Sequence, residues 1–426
     1  MRIYESYETE LVKQRLKRKP TTDESVVSAV KRIVSDVAQR GDEALFEYTK
    51  KFDGFDINKD NIRVSKNEIE EAYASVADLL ETLKKSAANI AAFHELQKRE
   101  GFRKEAGGAV TGSLILPLSR VGVYVPGGKA AYPSSVLMNI IPAKIAGVGE
   151  IIMSTPPGRD GRIEPLVLVA ADLAGADVIL KIGGAQAIAA LAYGTESVPK
   201  VDIITGPGNA YVAAAKREVF GEAGIDMIAG PSEVLIIAGE NANPSYVAAD
   251  FLSQAEHDEK AASVLITPSR ELAQKASAEI ERQLKLLPRK EIAAKSVEDY
   301  GTIIITASLD EAFDIANDFA PEHLEILTEN PWQYLGSVKN AGAVFLGEYS
   351  PEPLGDYFAG PNHILPTSGT ARFSSPLSVD DFVKRINYVC YDRQSLSACY
   401  NDIKRFAESE GLTAHAKSAC IRFEEG

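Results

Sequence analysis

Residues 120–155 read RVGVYVPGGKAAYPSSVLMNIIPAKIAGVGEIIMST, in which a β-branched run, a small-residue segment at helical spacing and a second β-branched run follow one another. Strands that are covered by helices on both faces of a parallel sheet are apolar along their whole length. VGVYV at 121–125 and EIIMST at 150–155 have this composition. The stretch therefore predicts a βαβ unit, the repeating element of a parallel α/β sheet.

The same alternation continues through most of the remaining chain. Further strand runs lie at 177–182, 200–205, 232–238, 263–267, 302–306, 324–328 and 343–347. Helical segments lie between them at 133–146, 164–174, 185–193, 210–220, 246–254, 270–287 and 309–319. The predicted fold class is α/β, with two incomplete Rossmann-like doubly wound parallel-sheet domains and with helical N-terminal and C-terminal extensions.

The order of these segments also predicts a domain organisation. Residues 1–24 are expected to form a helical N-terminal extension, and residues 120–230 an inserted nucleotide-binding α/β domain. The segments 25–119 and 231–377 are expected to form the other α/β domain together. Residues 378–426 are more polar and are predicted to be a helical tail, long enough to reach a partner subunit.

Composition limits the classes of function. The chain has 426 residues, of which 45% are hydrophobic, and a net charge of −14, which argues against nucleic acid as a partner. The amino terminus lacks the apolar core of a signal peptide, and no apolar run approaches the roughly 18 residues of a membrane span. The cysteines Cys390, Cys399 and Cys420 form no paired framework. These features predict a soluble cytoplasmic protein.

Glycine and proline cluster immediately after the strand runs. Four loops share this composition, at 124–135, 181–191, 204–212 and 228–233. Ligands bind beyond the carboxyl ends of strands in open parallel sheets, and a loop that leads into a helix offers free N–H groups to phosphate. None of the loops contains GxGxxG, but four in succession favour a nucleotide site. NAD and NADP both stay open at this point.

The chain has only five histidines, and four of them lie near carboxylate or amide groups. These pairs are Gln254 with His257, Glu322 with His323, Asp356 with His363 and Glu410 with His415. Imidazole, carboxylate and amide oxygen together suit zinc or another borderline divalent ion. The four segments therefore predict a shared metal and acid–base site, which the fold must assemble. His94 lies in a helical pattern and is predicted to be structural.

The expected chemistry follows from what oxidation of an alcohol requires. A hydride-transferring enzyme needs a base for the hydroxyl proton. Oxidising the aldehyde further needs oxygen from water, or a thiol that forms a covalent intermediate. Because the cysteines lie outside the glycine loops and histidine segments, water is favoured. One of the adjacent residues Glu322 and His323 can then activate the water, and the other can transfer protons.

Long motifs in the chain resemble the histidinol dehydrogenase family. They are RVGVYVPGG (120–128), GGAQAIAALAYGT (183–195), TGPGNAYV (205–212), AGPSE (229–233), LSQAEHD (252–258), APEHLEI (320–326), GDYFAGPNHILPT (355–367) and EGLTAHAKS (410–418), in the family's order. The resemblance covers nearly the whole chain from about residue 25. It implies oxidation of L-histidinol through histidinaldehyde to L-histidine, the last step of histidine biosynthesis, with reduction of two NAD per turnover.

The resemblance also implies roles for individual residues. The implied ligands of one Zn²⁺ per subunit, which anchors the substrate, are Gln254, His257, Asp356 and His415. Glu322 would activate water, and His323 would act as the acid–base group. Substrate contacts would come from these ligands, His323, Ser232, His363 and Glu410. NAD contacts would fall on Tyr124, Gln186 and Asn209. The resemblance further implies a homodimer in which the tail residues Glu410 and His415 complete the partner's site.

Three other functions remain as alternatives. A related enzyme could oxidise a different amino alcohol, although His363 and Glu410 favour histidinol. A non-catalytic nucleotide-binding protein would not need Glu322 beside His323 or a set of zinc ligands. A zinc hydrolase should lack the four glycine loops.

Overall fold

The computed structural model describes residues 2–18, 23–127 and 131–424. The chain divides into two compact units. The larger comprises Met1–Gln97 and Leu118–Phe382, and the smaller comprises Lys98–Pro117 and Val383–Gly426. Among the described residues, no helix is both long and apolar enough to cross a bilayer.

The described residues form fourteen strands and seventeen α-helices. The strands are β1 (Arg2–Glu5), β2 (Phe102–Ala106), β3 (Ala109–Pro117), β4 (Arg120–Tyr124), β5 (Glu150–Ser154), β6 (Val178–Leu180), β7 (Ile203–Thr205), β8 (Gly224–Ile225), β9 (Glu233–Ala238), β10 (Ala262–Thr267), β11 (Thr302–Ile305), β12 (His323–Leu327), β13 (Ala343–Leu346) and β14 (Val383–Tyr391). The helices are α1 (Thr9–Leu16), α2 (Glu24–Arg40), α3 (Asp42–Asp53), α4 (Lys66–Ser75), α5 (Leu80–Glu95), α6 (Pro133–Ala146), α7 (Pro165–Ala174), α8 (Gly184–Tyr193), α9 (Ala210–Val219), α10 (Pro244–Ala255), α11 (Arg270–Leu284), α12 (Lys290–Asp299), α13 (Leu309–Phe319), α14 (Glu352–Tyr357), α15 (Arg393–Ser397), α16 (Tyr400–Ser409) and α17 (Thr413–Cys420).

One parallel sheet has five strands in the order β6-β5-β4-β7-β8. The strand order reverses at β4, which pairs with β5 on one side and with β7 on the other. Val121 and Val123 of β4 and Ile151 of β5 are fully buried, as the continuous apolar runs predicted. The carboxyl ends of β4, β6 and β7 lead into glycine loops identified in the sequence.

The other parallel sheet has six strands in the order β1-β11-β10-β9-β12-β13. Its strands from β9 onward match the later runs of the sequence. The edge strand β1 pairs in parallel with β11 and was not predicted, because RIYE is too short and polar to show a periodic pattern. The predicted α/β class, with two doubly wound parallel sheets, is confirmed.

Helix α2 packs beside the five-stranded sheet. Val30, Ile33 and Val37 form an apolar stripe at three-to-four spacing and share a core with Ile188 and Leu191 of α8. The alanines of α8 leave room for this close approach. From sequence, this N-terminal segment was grouped with the later sheet, but its apolar face contacts the helices of the earlier one. The domain boundaries themselves stay a prediction.

The smaller unit contains an antiparallel sheet in the order β14-β3-β2. Its long strand β14 precedes the tail helices α15, α16 and α17. The tail was predicted to be helical from its start, and the strand was missed. VKRINYVCY mixes charged residues with β-branched and aromatic ones, and none of its residues is buried within the described structure. The pattern of a half-buried strand is therefore weak.

Candidate active site

Two sheet edges of the larger unit meet at one cleft of about 710 Å³. The six-stranded sheet contributes the amino ends of β9 and β12, and the five-stranded sheet contributes the loops after the carboxyl ends of β4 and β7. The predicted site residues that line the cleft are Asn209, Ser232, Gln254, His257, Glu322, His323, Asp356 and His363. The fold thus brings together residues from distant segments of the sequence.

Glu322 and His323 are both held by the backbone of Glu233, at the start of the neighbouring strand β9. The N–H of Glu233 donates to Glu322 Oε2 at 2.8 Å. The carbonyl oxygen of Glu233 lies 3.0 Å from His323 Nδ1 and accepts its proton. This contact fixes the tautomer of His323, because a carbonyl can only accept. Nε2 of His323 is buried without a hydrogen-bond partner and so remains available to a substrate.

Burial shifts the pKa values of Glu322 and His323 in opposite directions. Burial raises the pKa of Glu322 well above its usual value. Burial lowers the pKa of His323 to about 4, because the charged imidazolium loses its hydration. His323 is therefore neutral near pH 7 and can accept a proton. Burial thus favours the protonated form of Glu322 and the neutral form of His323.

Helix α14 places Glu352 and Asp356 on one face, at positions i and i+4. One ligand-type atom from each of His323, Glu352 and Asp356 lies within 4.8 Å of the other two. Glu352 Oε1 is 3.8 Å from His323 Nε2. Glu352 was not identified from the sequence, although its spacing from Asp356 on a short helix was a usable signal. The cluster makes this helix a candidate part of a metal centre.

His363 sets the charge state of Asp356. His363 Nδ1 lies 3.0 Å from the carbonyl oxygen of Asp356 and 3.4 Å from its Oδ1. Burial alone would raise the pKa of Asp356, but the hydrogen bond and charge of His363 outweigh it and lower the pKa to about 2. Burial, followed by the charge of Asp356, raises the pKa of Glu352 to about 9. Asp356 is therefore the carboxylate of this pair that is ready to hold a cation.

Gln254 and His257 enter the cleft from the end of α10. Gln254 is buried, and its Oε1 has no hydrogen-bond partner, which leaves a carbonyl-type oxygen unsatisfied in the interior. The N–H of His257 donates to the carbonyl oxygen of Gln254 at 3.2 Å, so the turn after the helix is tied to it. An amide oxygen, an imidazole and the Asp356 carboxylate form a donor set that suits zinc. The unsatisfied Oε1 fits the presence of a cation.

The three residues expected to contact NAD differ in position. Asn209 lines the cleft, and its Oδ1 accepts the N–H groups of Tyr211 and Val212 as the N-cap of α9. Tyr124 and Gln186 are almost fully buried and are not among the residues that line the cleft. The Tyr124 hydroxyl accepts from the N–H of Gly184 at 3.1 Å, and Gln186 Nε2 is buried without a partner.

The glycine loop after β7 has a rigid shape. Gly206 has φ of +108°, and a Cβ at this position would lie 2.0 Å from the carbonyl oxygen of Tyr124. Only glycine tolerates both conditions. Asp226 accepts the N–H of Gly206 at 2.8 Å, while the buried Lys216 donates to the carbonyl oxygen of Gly206 at 2.9 Å. The loop therefore offers a preformed backbone edge of the kind that suits a nucleotide.

Glu410 and His415 belong to the smaller unit. Glu410 follows α16, and His415 lies in α17. Both side chains are exposed.

His94 has the structural role that was predicted for it. It is fully buried, its Nδ1 donates to the carbonyl oxygen of Ile90 at 2.8 Å, and its Nε2 accepts from Asn362 Nδ2 at 3.3 Å. Asn362 also accepts the N–H of Ile364 at 2.9 Å. These bonds require neutral imidazole, and they hold the loop that carries His363.

We expect His94 to make the fold less stable in mild acid. Burial lowers the pKa of His94 below its ordinary value of 6.5, so the unfolded chain binds the extra proton first. The stabilisation is complete above about pH 6.5 and is lost as the pH falls through the lower folded pKa. In His94→Gln, the amide can keep both bonds without titrating. Its melting temperature should fall less than that of the wild type between about pH 7 and pH 5. An equal fall in the melting temperature of both proteins over this pH range would contradict this role of His94.

Together, the doubly wound sheets and a buried acid–base pair beside zinc-type donors define an α/β enzyme with a candidate metal centre. The chain belongs to the histidinol dehydrogenase family, whose family model matches residues 16–423, and it is an oxidoreductase. It is 57% identical over 407 residues to histidinol dehydrogenase of Caldanaerobacter subterraneus subsp. tengcongensis, covering 95% of this chain and 94% of that protein. It is 55% identical over 400 residues to that of Halalkalibacterium halodurans, covering 93% and 94%.

A solved structure gives the same result. Histidinol dehydrogenase from Elizabethkingia anophelis is 39% identical, with a TM-score of 0.93, and the match covers 99% of this chain and 97% of that one.

Proposed function

We propose that the protein oxidises L-histidinol through histidinaldehyde to L-histidine, the last step of histidine biosynthesis, with two NAD as hydride acceptors and one zinc ion per subunit. Membership of the family supports the substrate. The single observation that carries the mechanism is that the backbone N–H and C=O of one residue, Glu233, hold Glu322 and His323 inside the cleft. A base for the alcohol and a base for water are thereby fixed side by side.

Zinc fits the donors at the end of α10 and on α14. We assign Gln254, His257 and Asp356 as ligands, with His415 of the tail supplied by the partner subunit. The unsatisfied Oε1 of Gln254 and the low pKa of Asp356 support this set. Zinc, when bound, anchors the substrate and polarises its oxygen. Glu352 lies beside this set, with its Oε1 3.8 Å from Nε2 of His323, and is proposed to contact the substrate.

In the first oxidation, His323 Nε2 takes the hydroxyl proton of the alcohol as a hydride leaves the same carbon. NAD supplies the hydride acceptor in each oxidation. His323 is suited to this task because it is neutral and because its Nδ1–H is held by the carbonyl of Glu233. Ser232, His363 and Glu410 are proposed to hold the substrate, with Glu410 acting across a homodimer.

In the second oxidation, Glu322 takes a proton from the water that attacks the aldehyde carbon. His323 returns the proton from the first oxidation to the aldehyde oxygen as the water adds, which gives the hydrate. The hydrate then loses a hydride from carbon and a hydroxyl proton to His323, which leaves the carboxylic acid. The raised pKa of Glu322 makes its carboxylate a stronger base than an exposed glutamate, which supports this role. No thiol is needed, because the oxygen comes from water.

The five-stranded sheet is proposed to bind NAD at its carboxyl edge. The rigid loop at Gly206 and the cleft-lining Asn209 support this site. Tyr124 and Gln186, which are buried beneath the surface of the cleft, are also proposed to contact NAD. The unpartnered Nε2 of Gln186 is a donor that a ligand could use. We further propose a cytoplasmic location, which the free cysteines support.

The stoichiometry tests the proposed reaction. Purified protein supplied with histidinol and excess NAD should form two NADH for each histidinol consumed, and the product should be histidine. Absorbance of NADH and chromatography of the product measure both quantities. One NADH per histidinol, with the aldehyde accumulating, would show a simple alcohol dehydrogenase instead.

Metal removal tests the zinc site. Dialysis against a chelator should remove zinc and stop turnover, and added Zn²⁺ should restore it. Gln254→Leu should retain less zinc by elemental analysis, because the ion loses one oxygen ligand. Gln39→Leu, which changes an exposed glutamine on α2, is the matched control and should retain zinc fully. Equal zinc content in both variants would remove Gln254 from the ligand set.

A further inference from the structure

We propose that Arg18, in the N-terminal arm (residues 2–18), is a positioning residue. It holds Glu322 and His323 in the orientation needed for catalysis by fixing Glu233. The inference rests on the proposed function, since it assigns these two residues to catalysis. Arg18 lies outside all the glycine and histidine motifs, and nothing in the sequence pattern distinguished it from the surrounding basic residues.

Arg18 and Glu233 form a two-pronged ion pair inside the larger unit. Arg18 Nε donates to Glu233 Oε1, and Nη2 donates to Oε2 at 2.7 Å. The guanidinium carbon lies 4.0 Å from the centre of the Phe319 ring, which adds a cation–π contact. The Glu233 side chain is only 4% exposed, while that of Arg18 is 25% exposed and lines the cleft. A planar fork of this kind fixes both position and orientation of the carboxylate.

The backbone of Glu233 is the part that touches the catalytic pair. Its N–H binds Glu322 Oε2, and its carbonyl oxygen binds His323 Nδ1. These two contacts are made by the two peptide groups on either side of the Glu233 Cα, so a shift of this residue would disturb both and would release the tautomer of His323. Fixing the side chain of Glu233 restrains the Cα between the two peptide groups and opposes such a shift.

Removing Arg18 would leave the Glu233 carboxylate buried without a countercharge. Burial raises the pKa of Glu233, and the hydrogen bond and charge of Arg18 lower it in opposition. The charge of Glu233 also raises the pKa of Glu322. A buried carboxylate that loses its partner either takes up a proton or turns toward water. Either response disturbs the backbone of Glu233, whose N–H and C=O hold Glu322 and His323.

A different role for Arg18 would be to bind an anionic group of a ligand, because it lines the cleft. Glu233 already accepts from Nε and Nη2, and Nη2 also donates to the carbonyl oxygen of Ala320 at 3.4 Å, which disfavours that role. Positioning predicts a loss in kcat with little change in the KM for NAD. Ligand binding predicts a raised KM for NAD with little change in kcat.

Arg15 provides a matched control in the same arm. Its guanidinium donates to the carbonyl oxygens of Asp299 at 2.5 Å and Gly301 at 2.8 Å, and to Thr302 Oγ1 at 3.1 Å. Arg15 therefore anchors the arm to the edge of the six-stranded sheet without contacting Glu233. A loss caused only by detachment of the arm should appear in Arg15→Ala as well.

The experiment compares Arg18→Ala, Arg18→Lys and Arg15→Ala in the full-length holoenzyme. Arg18→Ala should lower kcat for histidinol by roughly 100-fold, as expected for a displaced catalytic group, with KM for NAD unchanged. Arg18→Lys should recover part of the loss, and millimolar guanidinium chloride should restore part of the activity of Arg18→Ala only. An equal loss in Arg15→Ala, no rescue by guanidinium, or a rise in KM for NAD at constant kcat would each overturn the proposal.

A second measurement does not depend on turnover. In ¹⁵N spectra of histidine-labelled protein, His323 should carry its proton on Nδ1 in the wild type and in Arg15→Ala. It should lose this preference in Arg18→Ala. An unchanged His323 tautomer in Arg18→Ala would sink the positioning role even if the wild type oxidises histidinol. A wild type that does not oxidise histidinol would instead defeat the proposed function, whatever the spectra show.

Discussion

Glu322→Gln is expected to reduce formation of histidine from histidinaldehyde by roughly 10²–10⁴-fold, the range that a general base contributes. Oxidation of histidinol to the aldehyde should slow much less, because the proposed acceptor of its hydroxyl proton is His323. Glutamine keeps an oxygen that can accept the N–H of Glu233, so the fold around the site should persist. Only the ability to take a proton from water is removed. Separate assays with histidinol and with histidinaldehyde measure the two rates.

Glu329→Gln is the matched control for this substitution. Glu329 follows the other end of β12, is exposed and accepts a hydrogen bond from Asn241 Nδ2. Both oxidations should run at wild-type rates in that variant. If Glu322→Gln slows the two oxidations equally, Glu322 acts on a step that they share, and its assignment as the base for water is wrong.

The sheets were predictable because buried parallel strands have a strong local signal. Runs such as VGVYV (121–125) and VLIIA (234–238) are continuously apolar, as expected of a strand covered on both faces. The signal fails for elements with one or no covered face. Strand β1 has no buried residue, and β14 has none either, so tertiary pairing rather than composition determines both. An apolar stripe likewise shows that a helix packs but not which surface receives it, and α2 shares a core with α8 beside the five-stranded sheet.

The site was predictable in its residue types and not in its geometry. Carboxylate and amide neighbours made Gln254, His257, Glu322 and Asp356 candidates, and the structure places all four at one cleft. The distances depend on how the amino edge of one sheet faces the carboxyl edge of the other, which no local pattern contains. Glu352 was missed although its spacing from Asp356 was informative.

Residues that act through backbone contacts leave no sequence signal at all. Glu233 is identified as part of the site by the hydrogen bonds of its N–H and C=O, which every residue possesses. Arg18 is important only because it pairs with that side chain. Such supporting residues become visible when the fold is known, and then from their burial and pairing.

Lys216→Met is expected to lower the free energy of unfolding by about 3–5 kcal/mol, the cost of breaking a buried ion pair. The side chains of Lys216 and Asp226 are only 2% and 1% exposed, and they form an ion pair between α9 and the segment after β8. Methionine fills most of the volume of lysine but leaves the Asp226 carboxylate without a countercharge. Asp226 also accepts the N–H groups of Gly206 and Met227, so the loop at Gly206 should loosen as well. Urea unfolding measures the loss.

Lys144→Met is the control that shows whether the loss of unfolding free energy in Lys216→Met comes from burial of the ion pair or from loss of any lysine–aspartate pair. Lys144 pairs with Asp177 at 3.1 Å, but these side chains are 38% and 39% exposed. Water stabilises the abandoned carboxylate there, so the expected loss is at most about 1 kcal/mol. Similar losses in the two variants would mean that removal of the lysine, rather than a stranded buried charge, explains the result. A loss confined to Lys216→Met, together with a raised KM for NAD, would tie the stability of this ion pair to the shape of the loop at Gly206.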